Sequence, residues 1–371
     1  MVQLELVVEQ ILSFMAIYYV LTAALNKKAG MTGIPDFGHA MFFAIGGIVV
    51  GHIAARLAAV MLAGQLGVSR AEAWSLVITE NTQFMDRVNE ALAHSPGVSI
   101  ALILVSILLS LVLGGLMGWL ASYPALRLRG DYLAIMLLTA SEGLRILVMY
   151  TKSIMGETPT VGLTRPRLLA FTGNEALWST VFVIAVAVIV FIFSERFYNS
   201  PSGRLFRAVR DDEDSAEALG KDVAKVRRDS MIIGSALAAL AGALFSMNIW
   251  MGGASIASKT IFDRVQWTFW PWAIMIVGGM SSNRGIAVTT IIISSLLIGP
   301  IRIYKEELAR ILHVEALGFD PGYFANALEY ILIGGLIILM LFYKPEGIIP
   351  EPPSWTLSRE KLREILRKFQ P

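Results

Sequence analysis

The chain has 371 residues, of which 55% are hydrophobic and only 16% are charged, and its mean hydropathy is +0.63. Soluble domains carry about 25% charged residues, so this composition indicates a helical protein that crosses a membrane several times. A net charge of +2 gives no reason to expect a nucleic-acid partner, and the absence of cysteine excludes disulfides and thiolate metal sites.

Apolar segments of about twenty residues recur along the whole chain and predict membrane-spanning helices. The predicted fold is an all-α polytopic bundle of about nine transmembrane helices, with eight to ten as the range because Pro271 interrupts the short seventh segment. The predicted spans are approximately 5–25, 37–62, 98–121, 131–151, 175–195, 230–250, 266–281, 285–303 and 324–343.

The distribution of Lys and Arg predicts the orientation of the bundle. Most of the 31 basic residues fall on one side of the alternating map of spans and loops. Because cytoplasmic loops are enriched in Lys and Arg, we expect the N-terminus outside and the C-terminus in the cytoplasm. The first residues lack the basic region of a signal peptide, so the first apolar segment is predicted to be a retained helix.

Residues 1–349 are predicted to form the transmembrane domain, and residues 350–371 a separate tail. Within the domain, residues 64–97 are an outward insertion that either meets an external partner or lies on the membrane surface, and residues 196–229 are a cytoplasmic loop. In the tail, three prolines precede a basic amphipathic helix that begins at Ser358. We expect this helix to lie on anionic membrane lipid; contact with another subunit is the alternative.

The cytoplasmic loop contains a short helix signal. The acids Asp211 to Asp214 precede good helix formers, and Gly220 follows them. Acids favour the positive end of a helix dipole and glycine favours the position after its last turn, so Asp212–Leu219 is predicted to be a helix of two turns. So short a helix is marginal alone in water. We therefore expect it to pack against its own domain or a partner; a solvated loop helix is the alternative.

Ionisable residues inside the predicted spans need partners, because an isolated charge in a bilayer is costly. Glu142 and Arg145 are three residues apart on one helix face and can pair with each other. They are either a structural ion pair facing the bundle interior or part of the path of a zwitterionic substrate. His39, near the start of the second span, is either a hydrogen-bonded structural histidine or a proton carrier.

Small residues repeat at four-residue spacing where helices are expected to cross. The repeats are Gly47 and Gly51, Gly114 and Gly118, and Gly234, Ala238 and Gly242.

Aromatic residues cluster around Pro271 in the seventh span. Trp267, Phe269, Trp270 and Trp272 are expected to form an interfacial aromatic belt, with a substrate-facing gate as the alternative.

The chain contains no G-x-x-x-x-G-K-[ST] phosphate loop, so it is not expected to hydrolyse ATP. The acidic run Asp211–Asp214 does not continue as a D-D-x-x-D magnesium motif, because Ser215 occupies the position where the last acid would stand. No enzymatic activity and no cofactor bound by this chain are expected.

Several motifs occur in the order of one known family. They are Gly203–Glu213 with Glu217–Gly220, Ser235–Leu244, Gly130–Ile135 with Glu142 and Arg145, Gly38–Gly46, Val277–Met280, and Lys344–Ile348. In this combination the chain resembles the LivM-like permease subunits of branched-chain amino acid ABC importers. The matches extend over most of the sequence.

The resemblance implies a multi-pass protein of the prokaryotic cell membrane that takes up an amino-acid-like substrate. Its implied partners are two ABC ATPase subunits that hydrolyse ATP, a second homologous permease and an extracytoplasmic solute-binding protein. The loop would carry the helix that couples ATP hydrolysis to alternating access, formed or flanked by Arg204, Arg207, Arg210, Asp211, Asp212, Glu213, Asp214, Glu217 and Gly220. The arginines would meet the ATPase or lipid phosphates. An ion-coupled secondary transporter is the alternative.

Overall fold

The computed structural model describes residues 4–79, 81–151, 174–248, 263–298 and 321–351, and every regular element in these ranges is helical. The predicted tail helix and the ends of the sixth and eighth predicted spans lie outside them. The helices are α1 Leu4–Leu25, α2 His39–Ile48, α3 Ala55–Met61, α4 Ala63–Leu66, α5 Arg70–Thr79, α6 Asn81–Ala93, α7 Pro96–Arg127, α8 Gly130–Tyr150, α9 Glu175–Asn199, α10 Pro201–Asp211, α11 Glu213–Ala218, α12 Val223–Met247, α13 Trp270–Gly278, α14 Asn283–Ile293 and α15 Pro321–Tyr343.

Six helical stretches in the described residues are long and apolar enough to cross a membrane. They are Val7–Gly30, His39–Met61, Pro96–Arg127, Gly130–Tyr150, Glu175–Asn199 and Val223–Met247. They agree with the first six predicted spans to within about seven residues at each end. The all-α membrane fold is therefore confirmed, whereas the count of nine and the orientation stay predictions.

The seventh and eighth predicted spans form one bent pair. π-helical turns precede α13 and follow α14, and the two arms of the pair meet at 118° across the turn at Gly279–Ser282. Taken together, the arms are long enough for one broken span or a re-entrant loop, which brings the total to as many as seven. Pro271 follows the π-helical turn Val265–Phe269 and lies in the first turn of α13, and the helical stretch continues through it to Gly278.

Helix α12 lies at the centre of the bundle. In its apolar stretch 78% of the residues are buried, against 22% in α8 and α9, and it packs chiefly on α7, α2 and α1. A Cβ atom on Gly242 would lie 1.8 Å from the backbone oxygen of Phe43, and one on Gly114 would lie 2.8 Å from that of Ser235. The glycines at these two positions thus permit the close helix crossings that their spacing predicts.

The described residues of the segment 64–97 form the helices α4, α5 and α6 and the start of α7. Helices α3, α5 and α6 surround a small apolar cluster of their own that includes Phe84, Val88 and Leu92. The Arg56 guanidinium lies over the Trp74 ring at 4.8 Å and fixes α3 on α5.

The prediction of an interfacial belt is wrong for Trp267 and Trp270, which are both completely buried. The Trp267 ring stacks on Phe43 at 4.0 Å between ring centroids and packs edge-on against Phe245 at 4.8 Å. These aromatic residues belong to the contact between α2, α12 and the turn before α13.

Candidate functional site

Helix α10 is held against the end of the bundle by its apolar face. The Ser200 hydroxyl accepts a hydrogen bond from the Gly203 N–H at 3.1 Å, and Pro201 occupies the first turn, so the helix has a well-formed start. Phe206 and Val209 are buried in a small cluster with Met31 and Val226. We call this end of the bundle the loop end.

Helix α11 forms where the acids and Gly220 predict it. Asp212 caps it by accepting hydrogen bonds from the Ser215 N–H at 3.0 Å and from the Ser215 hydroxyl at 2.8 Å, and these bonds lower the pKa of the Asp212 carboxyl. Gly220, with φ of +74°, follows in the left-handed conformation. The predicted helix Asp212–Leu219 is confirmed as Glu213–Ala218 with Asp212 and Leu219 as its caps.

Two contacts attach α11 to the bundle. The Glu213 carboxylate accepts hydrogen bonds from Arg227 on α12 at 2.6 Å and lies 3.3 Å from Arg129, which precedes α8. The side chain of Ala216, on α11 itself, is buried. The helix is therefore packed against its own domain, as its short length requires.

The arginines of α10 do not face outward as a set. Arg207 is buried, donates to Glu351 at 3.2 Å and stacks on the Tyr198 ring at 3.9 Å. Arg210 donates to Glu351 at 2.8 Å, and although burial opposes its charge, hydrogen bonds to Asp211 and Glu351 raise its pKa. The expectation that all these arginines meet a partner or lipid is wrong for Arg207, which is enclosed within the protein.

The outer surface of α11 is a compact tip of exposed residues. Leu219 is 78% exposed, and Asp214, Glu217 and Gly220 around it are exposed as well. We call these four residues the α11 tip.

A fully buried ionic cluster lies where the chain passes from α1 to α2. Lys28 and Asp36 form an ion pair, and the His39 Nδ1 atom lies 2.9 Å from the Asp36 carboxylate and 3.0 Å from the Lys28 ammonium. His39 Nε2 lies 3.0 Å from the Leu21 carbonyl, so this nitrogen is the donor to that oxygen. His39 is thus hydrogen-bonded on both ring nitrogens.

The segment that supplies this cluster leaves the helical conformation inside the bundle. Residues 33–36 are irregular, and a Cβ atom on Gly38 would lie 2.3 Å from the backbone oxygen of Leu137 in the middle of α8. Trp272 on α13 donates to the Asp36 carbonyl at 3.1 Å. Irregular backbone at this depth is tolerated because it is enclosed by protein.

Glu142 and Arg145 pair with each other, as their spacing predicts. Arg145 Nε donates to Glu142 Oε1 at 2.8 Å, and Arg264 approaches the same carboxylate at 3.8 Å. Both side chains of the pair are half-buried. The pair does not contact His39, so the three residues that the sequence offers for a translocation path form two separate sites.

No group of three or more histidine or acidic side chains in the described parts of the chain is arranged to hold a metal ion.

Buried charges and a bent helix pair inside an apolar helical bundle are features of multi-pass membrane proteins that carry polar solutes. The model of the family described as "Branched-chain amino acid transport system / permease component" matches residues 7–341. The chain belongs to this family.

The relatives of the chain carry the same description. It is 34% identical to the probable branched-chain amino acid transport permease protein LivM of Methanocaldococcus jannaschii, over 97% of this chain and 99% of that protein. It is 28% identical to the high-affinity branched-chain amino acid transport system permease protein LivM of Escherichia coli, over 63% of this chain and 54% of that protein. These relatives are transport permeases and not enzymes. No solved structure matches the chain.

Proposed function

We propose that this chain is a permease subunit of an ATP-driven ABC importer for branched-chain or related amino acids in a prokaryotic cell membrane. The loop end faces the cytoplasm, and the α11 tip is the surface on which an ATPase subunit docks. Membership of the branched-chain amino acid permease family supports the substrate class. The sequence contains no phosphate loop, which supports nucleotide binding by a separate subunit.

The observation that carries the coupling role is the construction of α11. It is capped, its base is tied to α12 through Glu213 and Arg227, and its tip projects Leu219 into solvent. A force applied to the tip is therefore transmitted to α12, the most buried of the spanning helices. Closure of the ATPases on ATP moves the tip, and the bundle reopens on the opposite side of the membrane.

The chemistry of the tip indicates the chemistry of the docking groove. Leu219 requires an apolar pocket, while Asp214 and Glu217 beside it favour a basic rim. Arg207 and Arg210 are hydrogen-bonded to the Glu351 carboxylate and therefore contribute little to this surface. The complete importer includes a second homologous permease and an extracytoplasmic solute-binding protein.

Co-purification tests this proposal. The tagged full chain is extracted from gently solubilised membranes beside a variant with Leu219→Asp and Glu217→Lys. The control variant, Met61→Asp, changes another exposed apolar residue at the end of α3. The ATPase should accompany the intact chain and the control but not the tip variant. If the intact chain is recovered without an ATPase, or the tip variant retains it, the docking role is wrong.

One observation favours the ion-coupled secondary transporter as a second candidate. Buried acids beside unwound helix segments are typical of that class, and Asp36 meets this description. The two candidates make opposite predictions for vesicles that contain the purified protein alone. Substrate uptake driven by an ion gradient, without ATP or an ATPase, would establish the secondary transporter.

A further inference from the structure

Residues 344–351, which follow α15, form a segment that is fixed to the turn between α13 and α14. The Ile348 N–H donates to the Val277 carbonyl at 2.8 Å, and the Ile349 N–H donates to the Gly278 carbonyl at 3.2 Å. A Cβ atom on Gly347 would lie 2.3 Å from the Gly279 backbone, so this contact admits only glycine. We call residues 344–351 the closing segment.

The last described residue of the closing segment, Glu351, is bound by α10 through both carboxylate oxygens. Oε1 accepts from Arg207 at 3.2 Å and from the Tyr198 hydroxyl at 3.3 Å, and Oε2 accepts from Arg210 at 2.8 Å. Arg207 is held in place by stacking on the Tyr198 ring. A carboxylate shared by two arginines is a strong and directional contact, because each bond is assisted by charge.

Arg210 extends this contact to the first span. The same guanidinium nitrogen that binds Glu351 donates to the Gly30 carbonyl at 2.9 Å, in the π-helical turn that ends α1. Helix α10 is thus joined through Glu351 to α15 and the α13–α14 turn, and through Arg210 to α1. The contact between Glu213 and Arg227 joins the adjoining α11 only to α12.

The closing segment also has space in which to move. A cavity of about 330 Å³ lies between it and the end of α9, lined by Glu195, Asn199, Asn283 and Pro350 among others. The closing segment is thus held at the end of α13 and borders a cavity on its α9 side.

We propose that Glu351 is a positioning residue that transmits movement of the α10–α11 unit to α15 and the α13–α14 turn. This inference rests on the proposed function, in which that unit receives the movement of the ATPases. Without the Glu351 carboxylate, displacement of the unit reaches α12 through Arg227 but no longer reaches the closing segment. Docking and ATP hydrolysis then continue while transport is lost.

The experiment compares Glu351→Gln with Glu346→Gln in the assembly that co-purifies with the tagged full chain, reconstituted into proteoliposomes. Glu346 is an exposed acid of the same closing segment, which makes it a matched control. We expect the assembly with Glu351→Gln to bind and hydrolyse ATP like the assembly with the intact chain but to transport at least tenfold less substrate per ATP. Unchanged transport per ATP would overturn the proposal.

A second variant covers the case in which Glu351→Gln does not assemble. Because the chain has no cysteine, Glu351→Cys and Arg210→Cys can be joined by a short, reducible bifunctional thiol reagent. The same protein is then measured before and after reduction. Higher transport per ATP in the joined state supports Glu351 as the link, and equal or lower transport in that state overturns it.

Measurements with the intact chain distinguish failure of the proposed function from failure of the role of Glu351. If it shows no ATP-dependent transport, the proposed function fails irrespective of Glu351. If it transports normally and the variants behave like it, only the role of Glu351 fails.

Discussion

Replacing Asp36 by asparagine removes the only carboxylate from the buried cluster between α1 and α2. In the variant the Lys28 ammonium has no counter-charge within the cluster, although the amide oxygen can still accept from the Gly38 N–H, a bond of 3.1 Å in the intact protein. Loss of one partner from a buried ion pair costs about 3–5 kcal/mol. Since Asn keeps one hydrogen bond, we expect Asp36→Asn to lower the free energy of unfolding by about 3 kcal/mol, more than a hundredfold in the equilibrium constant.

The double variant Lys28→Met, Asp36→Asn removes both charges at once. Because apolar replacements of a buried pair are often close to neutral, we expect it to recover at least about 2 kcal/mol of the loss caused by Asp36→Asn alone. Lys225→Met, on the exposed first turn of α12, is the matched control for loss of a lysine. It should change stability by less than about 0.5 kcal/mol.

The assay for these variants is equilibrium unfolding in mixed micelles, followed by tryptophan fluorescence. Trp272 reports directly on the cluster, because its indole N–H donates to the Asp36 carbonyl. The account of the cluster is wrong if Asp36→Asn costs less than about 1 kcal/mol, since a carboxylate that balances a buried ammonium must cost more to remove. It is equally wrong if the double variant is no more stable than Asp36→Asn alone.

Three further comparisons, each between two variants, test the packing and the end of α11. Gly242→Ala places a Cβ atom 1.8 Å from a backbone oxygen of α2, so it should lower the free energy of unfolding by about 1–3 kcal/mol. The control, Gly143→Ala, meets no atom within 4 Å and should not destabilise the protein. Equal effects of the two variants would contradict the close crossing of α12 and α2. Gly220→Ala should speed hydrogen exchange of the amides in α11, because residue 220 has a φ of +74° that alanine adopts poorly. Gly220→Asn should speed it less, since asparagine tolerates this conformation better. Exchange at the same rate in both variants and the intact protein would contradict the role of the glycine. Trp267→Ala should lower the free energy of unfolding by about 3–5 kcal/mol. Trp119 is partly exposed, so Trp119→Ala should lower it much less in the same assay. A small effect of Trp267→Ala would contradict the position of Trp267 in the core.

Features set by neighbouring residues were predictable from the sequence. The first six spans follow from the length of their apolar segments. Helix α11 follows from the acids at its start and Gly220 at its end, and the pair of Glu142 and Arg145 follows from a spacing of three residues. In each case the partners lie on one helix, so the helical period alone brings them together.

Contacts between distant residues were not predictable in this way. Lys28 follows the first apolar segment and is expected from that position to be a cytoplasmic loop residue, yet it is completely buried because the chain turns inward to Asp36. Glu351 lies 144 residues from Arg207 along the chain, and nothing in the sequence near either residue indicates the other. The acid at Asp36, eight residues after Lys28 and three before His39, was the one local signal of a buried cluster.

The burial of Trp267 has a similar explanation. An aromatic cluster at the end of an apolar segment favours the membrane interface when that segment is a simple span. Here the segment is one arm of a pair bent by 118°, and the tryptophan is enclosed between Phe43 and Phe245. The bend depends on the turn at Gly279–Ser282 and on the closing segment packed beneath it, which lies more than sixty residues further along the chain.

Site-specific cross-linking from the α11 tip tests the central claim most directly. Because the chain has no cysteine, Leu219→Cys provides a single thiol at an exposed point of the tip, and Met61→Cys provides the control. With a photoactivatable thiol reagent in native membranes, we predict a product between Leu219→Cys and a protein that contains a phosphate loop, and no such product from the control. Products with lipid alone, or the same products from both positions, would contradict the proposal that this tip couples the permease to an ATPase.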